Sequence, residues 1–281
     1  MMHQARSCES KYSLKQKNMT GSTVADYYDI AIIGSGNLAW HLAPELENAG
    51  HRILEVYSRT PKNARDLQKR LYNAEIHPSL DFSESEAEIF ILCVSDDAIE
   101  EVAQKIALPG RSIILHTSGS QSISKLSYTA ISDIGVFYPL QTFTKGKRIS
   151  FEDVPIFLEA ENNHTMKTLK NLGRSISKKV VEVSSKDRMA IHVAAVFACN
   201  FTNHMFHIAN RILHVQGFDF DILRPLIAET VNKSLDIGPE NAQTGPAARG
   251  DLEVLDKHMD FLKGSEYLEM YRMITEKILS R

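Results

Sequence analysis

Two glycines one residue apart, Gly34 and Gly36, close an apolar run and open a segment suited to a helix: Gly34-Ser35-Gly36-Asn37-Leu38-Ala39. The chemistry this spacing serves is the approach of an anionic group to the main chain. The first glycine permits a tight turn, and the second removes the side chain that would block a pyrophosphate. A small residue at Ala39 lets the helix lie close to a sheet. The helix's leading N–H groups and its positive end then hold phosphates. A merely tight turn is the plainer alternative. The strand before, the helix after and the further strand–helix alternation favour the phosphate reading.

The second strand ends in "VYSRT". A chain selecting NAD usually places an acidic residue about 20 residues beyond the glycines, for the ribose hydroxyl. Glu55 lies mid-strand, too early for that task. Ser58, Arg59 and Thr60 instead offer hydroxyls and a guanidinium, a set suited to a 2′-phosphate, so NADP is the expected cofactor. A solvated surface cation is the alternative for Arg59.

Other strand ends add candidates, because ligands of an open α/β sheet bind beyond the carboxyl ends of its strands. Val94 and Ser95 end one strand and join the expected cofactor contacts. "HTSGS" ends another, where His116 and Ser118 are candidates for catalysis and substrate binding, with a helix-capping turn as the equal alternative. Ser120 reads as a cap. Tyr138-Pro139-Leu140-Gln141 closes a third strand.

The run "IHVAAVFACNFTNHMFHIAN" is apolar and small except for a few polar residues. At helical period, positions 192, 196, 199/200, 203 and 207 share one broad stripe. Polar groups on such a face need partners, and a cleft between two domains would supply them. His192 and Asn203 are therefore candidate catalytic residues and Asn200 a substrate contact. In "TGPAARGD", Arg249 stands among small residues and could grip a carboxylate, form a structural ion pair or lie at a subunit interface, while Asp251 reads as a helix cap.

The elements that must position these groups alternate. Strands are expected at 28–34, 51–60, 75–77, 87–95, 111–120, 134–140, 154–160 and 179–184. Helices are expected at 37–49, 61–72, 96–106, 122–129 and 161–175. Beyond Ser185 only helices are read: one long helix over 186–214, then 219–235, 251–262 and 266–280. Alternation followed by helices alone predicts an α/β, Rossmann-type, mostly parallel sheet over residues 28–184 and an all-helical domain over 185–281. Residues 1–27 read as a mobile polar tail, with Met19 an alternative start.

The 281 residues are 43% hydrophobic and 24% charged, with a formal net charge of −3. That balance leaves no electrostatic footprint for nucleic acid or an anionic membrane. No apolar stretch is long enough to span a bilayer. Cysteines 8, 93 and 199 have no metal-ligand spacing, and Cys93 and Cys199 read as small core residues of a protein of the reducing cytoplasm.

Together "IIGSGNLAWHL", "SRT", "FILCVSDDAI", "HTSGS", "YPLQTF", "HVAAVFACNFTNHM" and "TGPAARGD" resemble a family of Rossmann-like NADP oxidoreductases. These are similar to deazaflavin-dependent NADP reductases and carry an uncharacterised helical C-terminal domain. More remotely the chain is similar to pyrroline-5-carboxylate reductase and to the 3-hydroxyisobutyrate and 6-phosphogluconate dehydrogenases. The resemblance implies an NADP-binding domain, a helical substrate and dimerisation domain, a site in the cleft between them and a homodimer. The hydroxyacid dehydrogenases use a lysine on the long helix as proton donor. None stands between Asp187 and Ile212 here, so that mechanism does not transfer. The expected activity is hydride transfer to a small C=O or C=N substrate, with His192 or His116 supplying the proton, Asn203 orienting the atom reduced and Arg249 holding an anionic group. The alternative is an NADP-binding sensor without chemistry. A methyl-transfer enzyme is less favoured, since Ser58-Arg59 and the helical half would be unexplained.

Overall fold

The structure, a computed structural model, describes residues 27–281. The expected tail, Tyr27 apart, lies outside the described residues, as does Cys8. The chain forms two compact units, dividing between Val193 and Ala194.

In the first unit the chain runs β1 (Asp29–Ile33), α1 (Asn37–Asn48), β2 (Arg52–Tyr57), α2 (Pro61–Gln68), β3 (Glu75–Ile76) and β4 (Ile89–Leu92). It continues through α3 (Ile99–Lys105), β5 (Ile113–His116), β6 (Ile134–Pro139), β7 (Ile156–Ala160), α4 (Asn163–Ile176) and β8 (Val180–Glu182), and enters α5 (Ser185–Ala195). The strands form one sheet in the order β3-β2-β1-β4-β5-β6-β7-β8. All neighbours are parallel except β6 and β7, which pair antiparallel from Gly135↔Ala160 to Pro139↔Ile156. A mostly parallel sheet was expected; the reversal between β6 and β7 was not, because strand pairing is invisible to local periodicity.

Side-chain alternation along the strands builds a core on each face. Ile30, Ile32, Ile89, Ile91 and Leu115 pack with Leu42 and Leu46 of α1, Leu67 of α2 and Leu169 and Leu172 of α4. Ala31, Ile33, Phe90, Leu92 and Ile114 pack on the other face with Ile99 of α3 and Leu126. Burying each large aliphatic side chain contributes about 1.5–3 kcal/mol, so the central strands hold the carboxyl edge firmly. Neighbours β2 and β4 lie on opposite sides of β1. That reversal opens a crevice beyond the carboxyl ends of β1 and β4.

The second unit continues with a π-helical segment (Val196–Phe201), then α6 (Thr202–Val215), α7 (Arg224–Ile237), α8 (Pro239–Ala242), α9 (Pro246–Arg249), α10 (Leu252–Phe261) and α11 (Leu268–Leu279). The single long helix expected over 186–214 is thus interrupted. An extra residue in one turn rotates everything after it by about 100°, so the stripe projected through 192, 200 and 203 does not persist at constant period. Cys199 is exposed here, not a core residue. Among the described residues, no helix is long and apolar enough to cross a membrane.

Candidate active site

The glycine turn sits at the crevice, and its two glycines answer to different constraints. Gly34 donates its N–H to the Tyr57 carbonyl at 2.7 Å and has φ +111°; a Cβ there would lie 2.4 Å from the Cys93 carbonyl oxygen. Its identity is demanded by the close approach of β1 and β4. Gly36 has φ −71° and is exposed, and the nearest atom to an added Cβ is 3.9 Å away. Nothing in the protein needs glycine there. The space over it, at the uncapped N-terminus of a twelve-residue helix, is what a diphosphate would occupy. Ala39 is buried against the sheet, Leu38 is half-buried and Asn37 is exposed. The residues present fit a dinucleotide.

Ser35 donates to the Ser58 hydroxyl at 2.7 Å, tying the turn to the tip of β2. Arg59 and Thr60 are exposed beside it. Arg59 makes no ion pair within 4 Å with any described residue. Glu55 accepts a hydrogen bond from the Ser85 hydroxyl, which removes it as a ribose ligand. Beyond β4, Val94 is half-buried and Ser95 exposed. Burial pushes the Cys93 thiol up to about 12, so it stays an inert thiol.

The serine loop beyond β5 is closely hydrogen-bonded. Thr117 donates to the Leu92 carbonyl at 3.0 Å. The Ser118 N–H donates to His116 Nδ1 at 3.2 Å. The Ser118 hydroxyl accepts the N–H groups of Ser120 and Gln121 at 3.1 and 3.0 Å, so it is engaged within its own loop. Ser120 is not a cap: it donates to Asp96, and Ser122 caps the short 3₁₀ turn instead.

His116 is fully buried. Desolvation, and then the Arg188 charge, lower it from the usual 6.5 to about 3. A neutral, buried imidazole is poorly placed to hand protons to a ligand. It does make stability depend on pH. The folded value lies below the unfolded one, so the folded state binds fewer protons. Stability is complete above about pH 6.5 and is lost as pH falls toward 3, by at most about 1.4 kcal/mol per pH unit. His51, also lowered by burial, acts in the same direction. The difference between His116→Asn and the parent isolates His116: the variant is expected to lose less melting temperature between pH 7 and pH 4.5, measured calorimetrically.

Beside this loop stand three residues from β6 and α5. The Tyr138 hydroxyl and His192 Nδ1 are hydrogen-bonded at 3.0 Å. A Cβ on Gly119 would lie 2.6 Å from His192 Nδ1 and from the Tyr138 ring, so the pair rests directly on the loop backbone. One turn before His192, Arg188 is 1% exposed. Its Nη1 donates to the carbonyls of Ser118, Gly119 and Gln121 at 2.9, 3.2 and 2.8 Å. Its Nη2 pairs with Glu159 of β7 at 2.8 Å. Sequence reading passed over Arg188 and treated Tyr138 only as a strand end. The available signal was a charged residue four positions before His192 on a largely apolar helix, spacing that puts both on one face.

The other expected residues lie in the second unit. Asn200 is exposed in the π segment and Asn203 is exposed at the start of α6. Arg249 is exposed and forks onto Asp251, Nε at 3.0 Å and Nη2 at 2.8 Å. Of its three sequence readings, a local ion pair is the arrangement seen. Asp251 stands at the N-cap of α10 but makes no capping bond.

Residues 29–119 match the family described as NADP oxidoreductase, coenzyme F420-dependent. Residues 154–278 match a domain of unknown function, DUF2520. A crystal structure from Bacteroides fragilis, provisionally named an NADP oxidoreductase, is 36% identical, with 91% of this chain and 99% of that one covered at a TM-score of 0.83. The chain belongs to this NADP oxidoreductase family. An imine reductase from a Pseudomonas species (14% identity, 90% and 95% covered, TM-score 0.62) shares the fold. So does a reductive aminase from Aspergillus terreus solved with NADPH and ethyl-5-oxohexanoate (16%, 84% and 78%, TM-score 0.56). No curated protein matches the chain. Within the NADP oxidoreductase match lie the glycine turn and the loop as far as Gly119. Arg188 and His192 fall in the domain without a described function, and Tyr138 falls between the two matches.

Proposed function

We propose that the protein is an NADPH-dependent reductase of a small C=O or C=N compound. The observation that carries this reading is shared placement. The carboxyl edge of the parallel strands holds both the open space over Gly36 and the proton-bearing pair Tyr138–His192. A bound nicotinamide would supply the hydride. The N-terminus of α1 would hold the diphosphate, Ser58, Arg59 and Thr60 the 2′-phosphate, and Val94 and Ser95 would border the cofactor. The Arg188-braced loop, with Ser118, would bound the substrate, and the hydrogen-bonded Tyr138–His192 pair would handle the proton. Asn200, Asn203 and Arg249 are kept as substrate-side candidates, each open to separate substitution.

The test is NADPH oxidation against oxo-acids, cyclic imines and a deazaflavin, with cofactor affinities from fluorescence titration. Turnover of at least one compound is expected, with NADPH preferred over NADH. Arg59→Glu should cut NADPH affinity roughly 10- to 100-fold, the loss of one charge-assisted contact, and leave NADH nearly unaffected. Tight NADPH binding with no turnover would favour the sensor instead.

Homodimerisation through the helical unit belongs to the same proposal. Phe197, Leu226, Leu235, Leu252 and Phe261 are 64, 64, 79, 63 and 64% exposed, apolar side chains that a subunit interface would cover. Sedimentation equilibrium is expected to give twice the chain mass; a monomer at micromolar concentration would refute it.

A further inference from the structure

We propose that Tyr138, not His192, delivers the proton to the substrate, and that His192 recharges it. This rests on the reductase reading above and adds a residue to it.

Tyr138 comes from the penultimate position of β6, at the carboxyl edge, and is half-buried. His192 comes from α5 and meets it through one hydrogen bond of 3.0 Å. That bond has two polarities. When Nδ1 carries a proton it donates to the phenol oxygen, and the phenol hydrogen is then free to point at a ligand. Three features hold the pair in register. Gly119 leaves the room that any side chain would fill, since its Cβ would fall 2.8 Å from the Tyr138 hydroxyl oxygen. Arg188 fixes the loop carrying Gly119 through three carbonyls. The same Arg188 lies four residues before His192 on α5, so one buried group sets both the loop and the helix face.

The electrostatics suit a donor. Desolvation, and then the Asp96 charge, raise the Tyr138 phenol above its ordinary 10 and keep it protonated, while the Arg188 charge acts more weakly the other way. His192 is only partly buried and can exchange protons with water.

The step balances as follows. Hydride passes from NADPH to the carbon of the C=O or C=N group, leaving NADP⁺. The Tyr138 O–H bond breaks and its proton joins the substrate oxygen or nitrogen. The phenolate takes the Nδ1 proton of His192 as Nε2 of the same ring takes one from solvent, so the imidazole does not pass through an anion. The sum is substrate, NADPH and one proton giving reduced product and NADP⁺.

The experiment uses the full chain and whichever panel compound the parent protein reduces. Tyr138→Phe keeps the ring and removes only the hydroxyl. It is expected to lower kcat at least about 100-fold, the usual yield of a positioned acid, with KM and NADPH affinity within about twofold. His192→Gln should lower kcat less, about tenfold, again with KM nearly unchanged. The double variant should be no slower than Tyr138→Phe, because the two groups act in series. A Tyr138→Phe protein with parental kcat overturns the proposal. So does a double variant slower than the parent by the product of the two single effects, which would mark two independent donors. If the parent binds NADPH yet reduces nothing, the reductase reading falls and takes this step with it. That outcome is told apart because it needs no variant.

Discussion

Gly34→Ala is expected to cost about 3 kcal/mol or more of stability, whereas Gly36→Ala, two residues on, should cost under about 1 kcal/mol. At Gly34 the backbone has φ +111°, and the new methyl would press into the Cys93 carbonyl at 2.4 Å. A strained dihedral adds about 1–3 kcal/mol, and the clash falls on main chain between two central strands, which cannot yield without moving the sheet. At Gly36 the dihedral is ordinary and the nearest atom is 3.9 Å away, so the folded chain accepts alanine. The cost should appear in ligand binding instead. The methyl would stand where a diphosphate must approach, lowering NADPH affinity roughly 100-fold, about 2.7 kcal/mol. Thermal melting and fluorescence titration of both variants make the check. Tight NADPH binding by Gly36→Ala would remove the assignment of that space to phosphates.

Arg188→Met should be comparably severe. The guanidinium is buried and is the common partner of three carbonyls and of Glu159, whose side chain is 16% exposed. Methionine fills similar volume but leaves the carboxylate and the carbonyls short of donors. Breaking one side of a buried ion pair costs about 3–5 kcal/mol, or roughly 10 °C in melting temperature for a unit of this size. Adding Glu159→Leu should recover part of the loss, because the orphaned charge is then gone. The decisive comparison is the melting temperature of the single variant against that of the double. A double variant less stable than Arg188→Met would mean that the carbonyl clamp, rather than the ion pair, dominates.

The glycine turn was readable because everything it needs is contiguous. A strand, two glycines, a small residue and a helix succeed one another within one short segment, and the local rules for turns and helix starts apply without knowledge of the rest. The position of Ser58 and Arg59 beside that turn was readable for a related reason, since the next strand must end close to where the first one does. His192 was reachable as a polar residue on an apolar helix. Tyr138 and Arg188 were not, because their meaning depends on partners far along the chain. Ser118, Gly119, Gln121 and Glu159 reach Arg188 only once β5, β7 and α5 are assembled. The projection of Asn203 onto the same stripe as His192 failed differently: it assumed an uninterrupted helical period, and the π segment at Val196–Phe201 breaks it.

By itself, then, the sequence determined the alternating architecture, the glycine turn and the residues at the tip of β2, since each depends on period and on neighbours a few positions apart. Tertiary structure alone decided that β7 runs antiparallel to β6, that His116 is buried, and that Tyr138 and His192 are hydrogen-bonded. Those outcomes turn on burial and on contacts across long stretches of chain, where the energy of a polar group is set by what surrounds it rather than by what precedes it.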